Sequence, residues 1–90
     1  MMPYRTTPIF DEVTLPAALR REHRTKSGAW GVIRVLEGEL LLHFADGREE
    51  LLSPMAPGMV RPQETHRVEP LGAMRMQVEF YNSEPQLTRS

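Results

Sequence analysis

His23 and His66 are the side chains best suited to chemistry in this sequence. Imidazole titrates near neutral pH and binds Zn, Fe, Ni or Cu through a ring nitrogen. Two such rings on separate strands, both facing one interior, would lie close enough to share a divalent metal (Zn, Fe or Ni). The chain has no cysteine, so a third ligand would have to be a carboxylate. That gives a two-His-one-carboxylate set with open positions. Strict alternation from His66 puts Glu64 on the same face and Glu69 on the opposite one, unless a turn at Pro70 brings Glu69 back. The same His pair without a third ligand serves equally well as a hydrogen-bonded structural pair. Around it, Arg21 offers an oxyanion a bidentate grip, and Trp30 and Glu64 are candidate pocket residues. Arg34 has the plainer reading of a surface salt bridge with a neighbouring Glu. His43 sits mid-strand on the less apolar face, as a surface or interface residue. Met55, Met59, Met74 and Met76 read as core filler. There is no Ser-His-Asp order, no Gly-rich phosphate loop and no close pair of isolated carboxylates, so acyl transfer, kinase and glycosidase chemistry have no support.

The elements that must position these residues read as strands. Gly31 to Phe44, GVIRVLEGELLLHF, is mostly Val, Ile, Leu and Phe with Gly38 in the middle. It predicts a buried hairpin turning at Leu36-Glu37-Gly38-Glu39, with Gly38 taking positive φ. Leu40, Leu42 and Phe44 fall on one face, Leu41 and His43 on the other. Ala45-Asp46-Gly47-Arg48 is a second turn, followed by a strand over Glu49 to Ser53. Met59-Val60 and His66-Val68 are further short strands. Met74 to Tyr81 alternates cleanly, with Met74, Met76, Val78 and Phe80 on one face. The whole predicts an all-β sandwich or barrel.

Leu15 to His23 is ambiguous. Thr14 is a fair N-cap, Pro16 suits a first turn, and Ala17 to Glu22 are helix formers. A helix puts His23 on the face of Leu15 and Leu19; a strand puts it on the face of Leu19 and Arg21. Either way His23 points with Leu19, inward.

Ninety residues make one domain, 1–90, with 1–13 as an irregular extended arm and 82–90 as a frayed tail. So short a chain buries a modest fraction of its surface, which favours a homodimer. Eleven basic against twelve acidic residues leave a net charge of -1, and the cluster Arg20, Arg21, His23, Arg24, Lys26 reads as a solvated face, so no nucleic-acid partner is expected. No apolar run has the length of a membrane helix and no signal-peptide pattern opens the chain, so the expectation is a cytoplasmic protein with no membrane partner.

Three pieces in order carry a resemblance: Val35-Leu36-Glu37-Gly38-Glu39-Leu40; Asp46-Gly47 followed by Leu51-Leu52-Ser53-Pro54; and Pro57-Gly58-Met59-Val60-Arg61-Pro62 closed by His66. Together they resemble the core of a cupin, a jelly-roll barrel (double-stranded β-helix) whose second motif ends in a metal-ligating His. Tyr4 to Phe10, Leu15-Pro16-Ala17, His23, Gly28 to Trp30, the Gly38 turn and His66-Arg67-Val68-Glu69 narrow it. They resemble the small cupin-like family of the tellurite-resistance TehB N-terminal domain and the YeaR-like proteins. The first cupin motif usually carries two His and a Glu; here it has His23 alone, with Gly31 where the Glu is usual. The resemblance favours a strand over Leu19 to Arg24, and a lone nine-residue helix is marginal in any case. It also implies Glu69 as the carboxylate beside His23 and His66.

The expected function is therefore a cupin-like module that binds a metal ion or a small oxyanion ligand, with a link to oxyanion stress implied by the resemblance. A metal-dependent dioxygenase- or isomerase-like enzyme and a purely structural dimer are the alternatives.

Overall fold

Apolar residues at every second position build the strands, which make up nearly all the regular structure. The computed structural model describes residues 2–87. In chain order the elements are β1 (Arg5–Thr6), β2 (Phe10–Asp11), α1 (Ala17–Arg20), β3 (Trp30–Glu37), β4 (Leu40–Phe44), β5 (Glu49–Leu52), β6 (Gly58–Val60), β7 (His66–Pro70) and β8 (Arg75–Tyr81). One antiparallel sheet runs β1-β8-β3-β6, with β2 also on β8; the other runs β5-β4-β7. Ile33, Val35, Met76 and Val78 of the first sheet meet Leu40, Leu42, Phe44, Leu52 and Val68 of the second in one core. Leu40 and Leu42 are fully buried, each contributing roughly 1.5–3 kcal/mol. Among the described residues no helix is long and apolar enough to cross a membrane.

The expected hairpin over Gly31 to Phe44 is not one. Gly38 does turn the chain, at φ 73°. But β3 pairs with β8 and β6, while β4 pairs with β5 and β7. The turn is a corner between sheets, entered through a bulge between Val35 and Glu37 where β3 leaves its register on β8. A run apolar on both faces looks the same whether it folds back on itself or crosses the core. The corner is tightly packed: a Cβ on Gly38 would lie 2.3 Å from the Ala73 carbonyl oxygen. The Asp46-Gly47 turn does close a true hairpin, β4 onto β5.

The segment before His23 corrects a second expectation. Ala17–Arg20 forms one helical turn where a strand over Leu19 to Arg24 was expected, and Thr14 is not its cap. The Thr14 hydroxyl instead accepts from Asp11 N at 2.9 Å, and Asp11 Oδ1 accepts from the Val13 and Thr14 amides at 2.8 Å each. This staple seats Leu15 in the core. Within the arm two short strands form: β1 and β2 pair with β8, as Arg5 opposite Phe80 and Phe10 opposite Met76. In the tail, residues 82–87 form no strand, yet Pro85 is buried; residues 88–90 of the expected frayed segment lie outside the described ones.

The two turn glycines separate strain from contact. Gly38→Ala must bear both a positive φ and the clash with Ala73; Gly47→Ala bears the positive φ alone, in open space. The backbone term costs on the order of 1–3 kcal/mol at either site. Gly38→Ala should therefore lose clearly more stability in urea unfolding, and equal losses would show that the Gly38 corner does not press on Ala73.

Candidate functional site

Two backbone hydrogen bonds create the site. His23 N donates to the His66 carbonyl at 2.9 Å, and His66 N donates to the His23 carbonyl at 2.8 Å. Residues paired this way across an antiparallel bridge point to the same face. The two rings consequently meet with centroids 4.1 Å apart, tilted by 55°. The sequence reading that both imidazoles point inward and converge holds, although a helical turn, not a strand, leads into His23.

Each ring is held from behind. His23 Nδ1 lies 3.0 Å from the Arg21 carbonyl and His66 Nδ1 lies 2.8 Å from the Glu64 carbonyl. A carbonyl oxygen only accepts, so each Nδ1 carries the proton, and in the neutral rings each Nε2 presents a lone pair. Neither Nε2 has a hydrogen-bond partner among the described residues, and neither is sealed from solvent-sized access. Both rings line a cavity of about 390 Å³ between the sheets. Its floor is apolar: Ile33, Val60, Val68, Met76 and Val78 are all buried. Its edge carries Arg5, Arg24 and Lys26, all exposed. Burial pushes the His66 imidazole below its ordinary range; the bond to the Glu64 carbonyl opposes this, and the neighbouring His23 adds to it.

The other expected site residues lie elsewhere. Glu69 is on the opposite face of β7, its Oε1 2.8 Å from His43 Nε2. Period-two alternation decides this, and no turn at Pro70 reverses it. The Glu64 carboxylate pairs with the Arg48 guanidinium and accepts from Arg61 N at 3.1 Å; only the Glu64 backbone carbonyl serves the site. Arg21 is exposed and likewise contributes its carbonyl, not its guanidinium. Trp30 is half-buried opposite Tyr81 and outside the cavity wall. Arg34 donates to Glu79 at 3.0 Å, the plain salt bridge of the two readings.

A metal ion finds an incomplete set here. No group of three or more His, Asp or Glu able to hold one occurs among the described residues. His23 and His66 supply two donors, whereas a bound catalytic zinc usually has three from the protein. Of the expected two-His-one-carboxylate set, the structure brings the two imidazoles together and places the Glu69 carboxylate on the opposite face of β7.

Sequence reasoning missed Arg5, Arg24 and Lys26. The signal for two of them was the Arg20-to-Lys26 cluster itself, read as a solvated face. Arg5 carried none, because nothing local tells that the arm lies on β8.

A pH experiment checks the burial of His66. Its lowered folded-state value means the folded protein resists a proton that the unfolded chain takes up near pH 6.5. The associated stability is fully present above about pH 6.5 and is lost as pH falls through the folded value. The unfolding free-energy difference between the parent and His66→Gln should shrink on acidification below that pH. A pH-independent difference would show that His66 titrates alike in both states.

The TehB-like domain model matches residues 5–78. A probable S-adenosyl-L-methionine-dependent methyltransferase TehB of Haemophilus influenzae is 32% identical over 74 residues, which is 76% of this chain and 26% of that protein. The chain thus spans about a quarter of the length of that curated relative. The crystal structure of TehB from Haemophilus influenzae superposes with a TM-score of 0.80 at 30% identity, over 88% of this chain and 30% of that one. A protein from E. coli K12 superposes at 0.76 with 20% identity, over 92% of each chain. A cupin superfamily protein from Desulfitobacterium hafniense shares the fold at 0.59 with 16% identity, over 87% of this chain and 82% of that one. The two facing sheets are a cupin-like jelly roll, and the chain belongs to the TehB-like domain family.

Proposed function

We propose that this domain is a binding module that takes a small anionic molecule into the cavity between its sheets. One observation carries the reading. Every charged residue on the cavity wall is a cation, and none of Arg5, Arg24 and Lys26 has a carboxylate partner among the described residues. Cations of one sign around a low-dielectric recess concentrate anions. Arg5 lies 5.8 Å from the Phe80 ring centroid and Lys26 lies 5.9 Å from that of Tyr4. Such contacts orient a cation without neutralising it. A role in oxyanion stress, and pairing of two copies, belong to this proposal through the family resemblance and the small size of the chain. The methyl-transfer activity in the relative's name stays with that protein, of which this chain matches a quarter.

Titration of the full chain with a panel of carboxylates, phosphate and tellurite, followed by amide NMR shifts, tests this. Saturable shifts at Thr25, Gly31 and Val68 are expected. Arg24→Glu with Lys26→Glu should weaken binding at least about tenfold. Affinity untouched by the double reversal would overturn the reading.

A metal centre is the second reading, favoured by the two unpartnered Nε2 atoms alone. Its remaining donors would come from the ligand. Elemental analysis of untagged protein decides: near-stoichiometric metal, lost in both His23→Ala and His66→Ala, would establish it, and metal-free protein would dismiss it.

A further inference from the structure

The cavity sorts its ligand by chemistry along its depth. At the floor, Ile33, Met76 and Val78 offer no polar group. At the edge, Arg5, Arg24 and Lys26 offer positive charge in contact with water. Between the sheets the imidazole pair offers lone pairs, because both Nδ1 protons are committed to backbone carbonyls. A lone pair repels an anionic oxygen. The charged head of a ligand therefore belongs at the edge, and a hydrogen-bond donor belongs at the imidazoles. That donor is uncharged, since an ammonium group would face three cations and no carboxylate. The depressed proton affinity of His66 keeps its Nε2 an acceptor at neutral pH. The volume, about 390 Å³, holds on the order of ten waters at about 30 Å³ each, far more than an inorganic oxyanion fills.

We infer that the ligand class is the hydroxylated organic acids: an apolar body on the floor, a hydroxyl donating to Nε2 of the His23–His66 pair, and an acid group at Arg5, Arg24 and Lys26. This rests on the anion-binding reading above and narrows it, excluding inorganic oxyanions as the best ligands. A bound ligand that lacks the donor covers the imidazole acceptors and leaves them unmatched, so the hydroxyl is the discriminating group.

Calorimetric titration of the full chain with matched pairs tests it: phenyllactate against phenylpropionate, and hydroxyoctanoate against octanoate. Phenylpropanediol serves as the uncharged analogue and phosphate as the inorganic anion. The hydroxy acids should bind saturably, and loss of the hydroxyl should cost about tenfold. The diol should bind more weakly, without the salt dependence of the acids. Arg24→Gln with Lys26→Gln should lower the acids toward the diol and leave the diol unchanged. The hydroxyl comparison is made on the ligand, so it needs no variant at buried His66. Equal affinity with and without the hydroxyl would overturn the inference. Phosphate binding more tightly than any organic acid would overturn it while leaving the anion-binding module standing. Absence of binding throughout the set would overturn both.

Discussion

The reciprocal backbone pair between His23 and His66 is the constraint on which the site depends. It joins a segment that has just left a helical turn to the first residue of β7, across forty-three positions of sequence. Two hydrogen bonds contribute only about 1–3 kcal/mol net, too little to hold an irregular segment in one register alone. Neighbouring contacts share the task. The Thr25 hydroxyl donates to the Arg61 carbonyl at 3.0 Å, and Gln63 N donates to the Thr25 carbonyl at 3.1 Å. Gln63 adopts φ 61°, the one non-glycine residue with positive φ among those described, and this turns its amide toward Thr25. A local strain on the order of 1–3 kcal/mol is thus tolerated where it zips the loop after His23 onto the turn before His66. Ring contact, tautomers and the placement of Arg24 and Lys26 at the cavity edge all follow from that zipper.

The acidic residues are as instructive as the basic ones. The chain is nearly neutral, with twelve acids against eleven bases, yet the cavity wall is purely cationic. Several carboxylates are engaged elsewhere. Glu64 is held by Arg48 and the Arg61 amide, Glu79 by Arg34 and the Tyr81 hydroxyl, and Glu49 and Glu69 both by His43. Most of these pairs are surface pairs worth little to stability. None of these ion pairs involves Arg5, Arg24 or Lys26. A sum over composition hides this, because it averages over the cavity wall and the outer surface.

What the sequence made legible was what short-range periodicity controls. The clean alternation of Met74 to Phe80 became β8, and Leu40, Leu42 and Phe44 went inward as their spacing demanded. The positive φ at Gly38 and the Asp46-Gly47 hairpin followed from turn chemistry. The inward sense of His23 survived because helix and strand readings agreed on it. What failed was long-range. Gly38 marked a turn without saying whether β3 and β4 would pair, which depended on Ala73 and Met74 lying beneath it. The strand expected over Leu19 to Arg24 failed at its start, where Ala17–Arg20 is helical: one turn of helix needs only tertiary support from Leu15 and the Asp11 staple, and isolated-helix energetics do not apply to it. The resemblance pointed to Glu69, and alternation pointed away from it; the geometry of β7 obeyed alternation.

The arm shows why site and fold are not separable in a chain this short. β8 is central to its sheet only because β1 and β2 cover its outer edge. Tyr4 N donates to the Phe80 carbonyl and Thr7 N to the Val78 carbonyl, each at 2.9 Å, while the Thr7 hydroxyl accepts from Val78 N at 2.9 Å. An uncovered β8 would expose a row of unpaired amides and carbonyls to other chains. The segment that covers this edge also lines the cavity: Arg5, paired with Phe80, and Thr7, bonded to Val78, stand on its wall. Strand geometry then fixes the outcome: a segment paired with β8 must put alternate side chains on the side where Val78 and Phe80 already face the cavity. Edge protection and the third cation of the cavity are consequences of one register, Arg5 opposite Phe80, and neither can shift by a residue without the other.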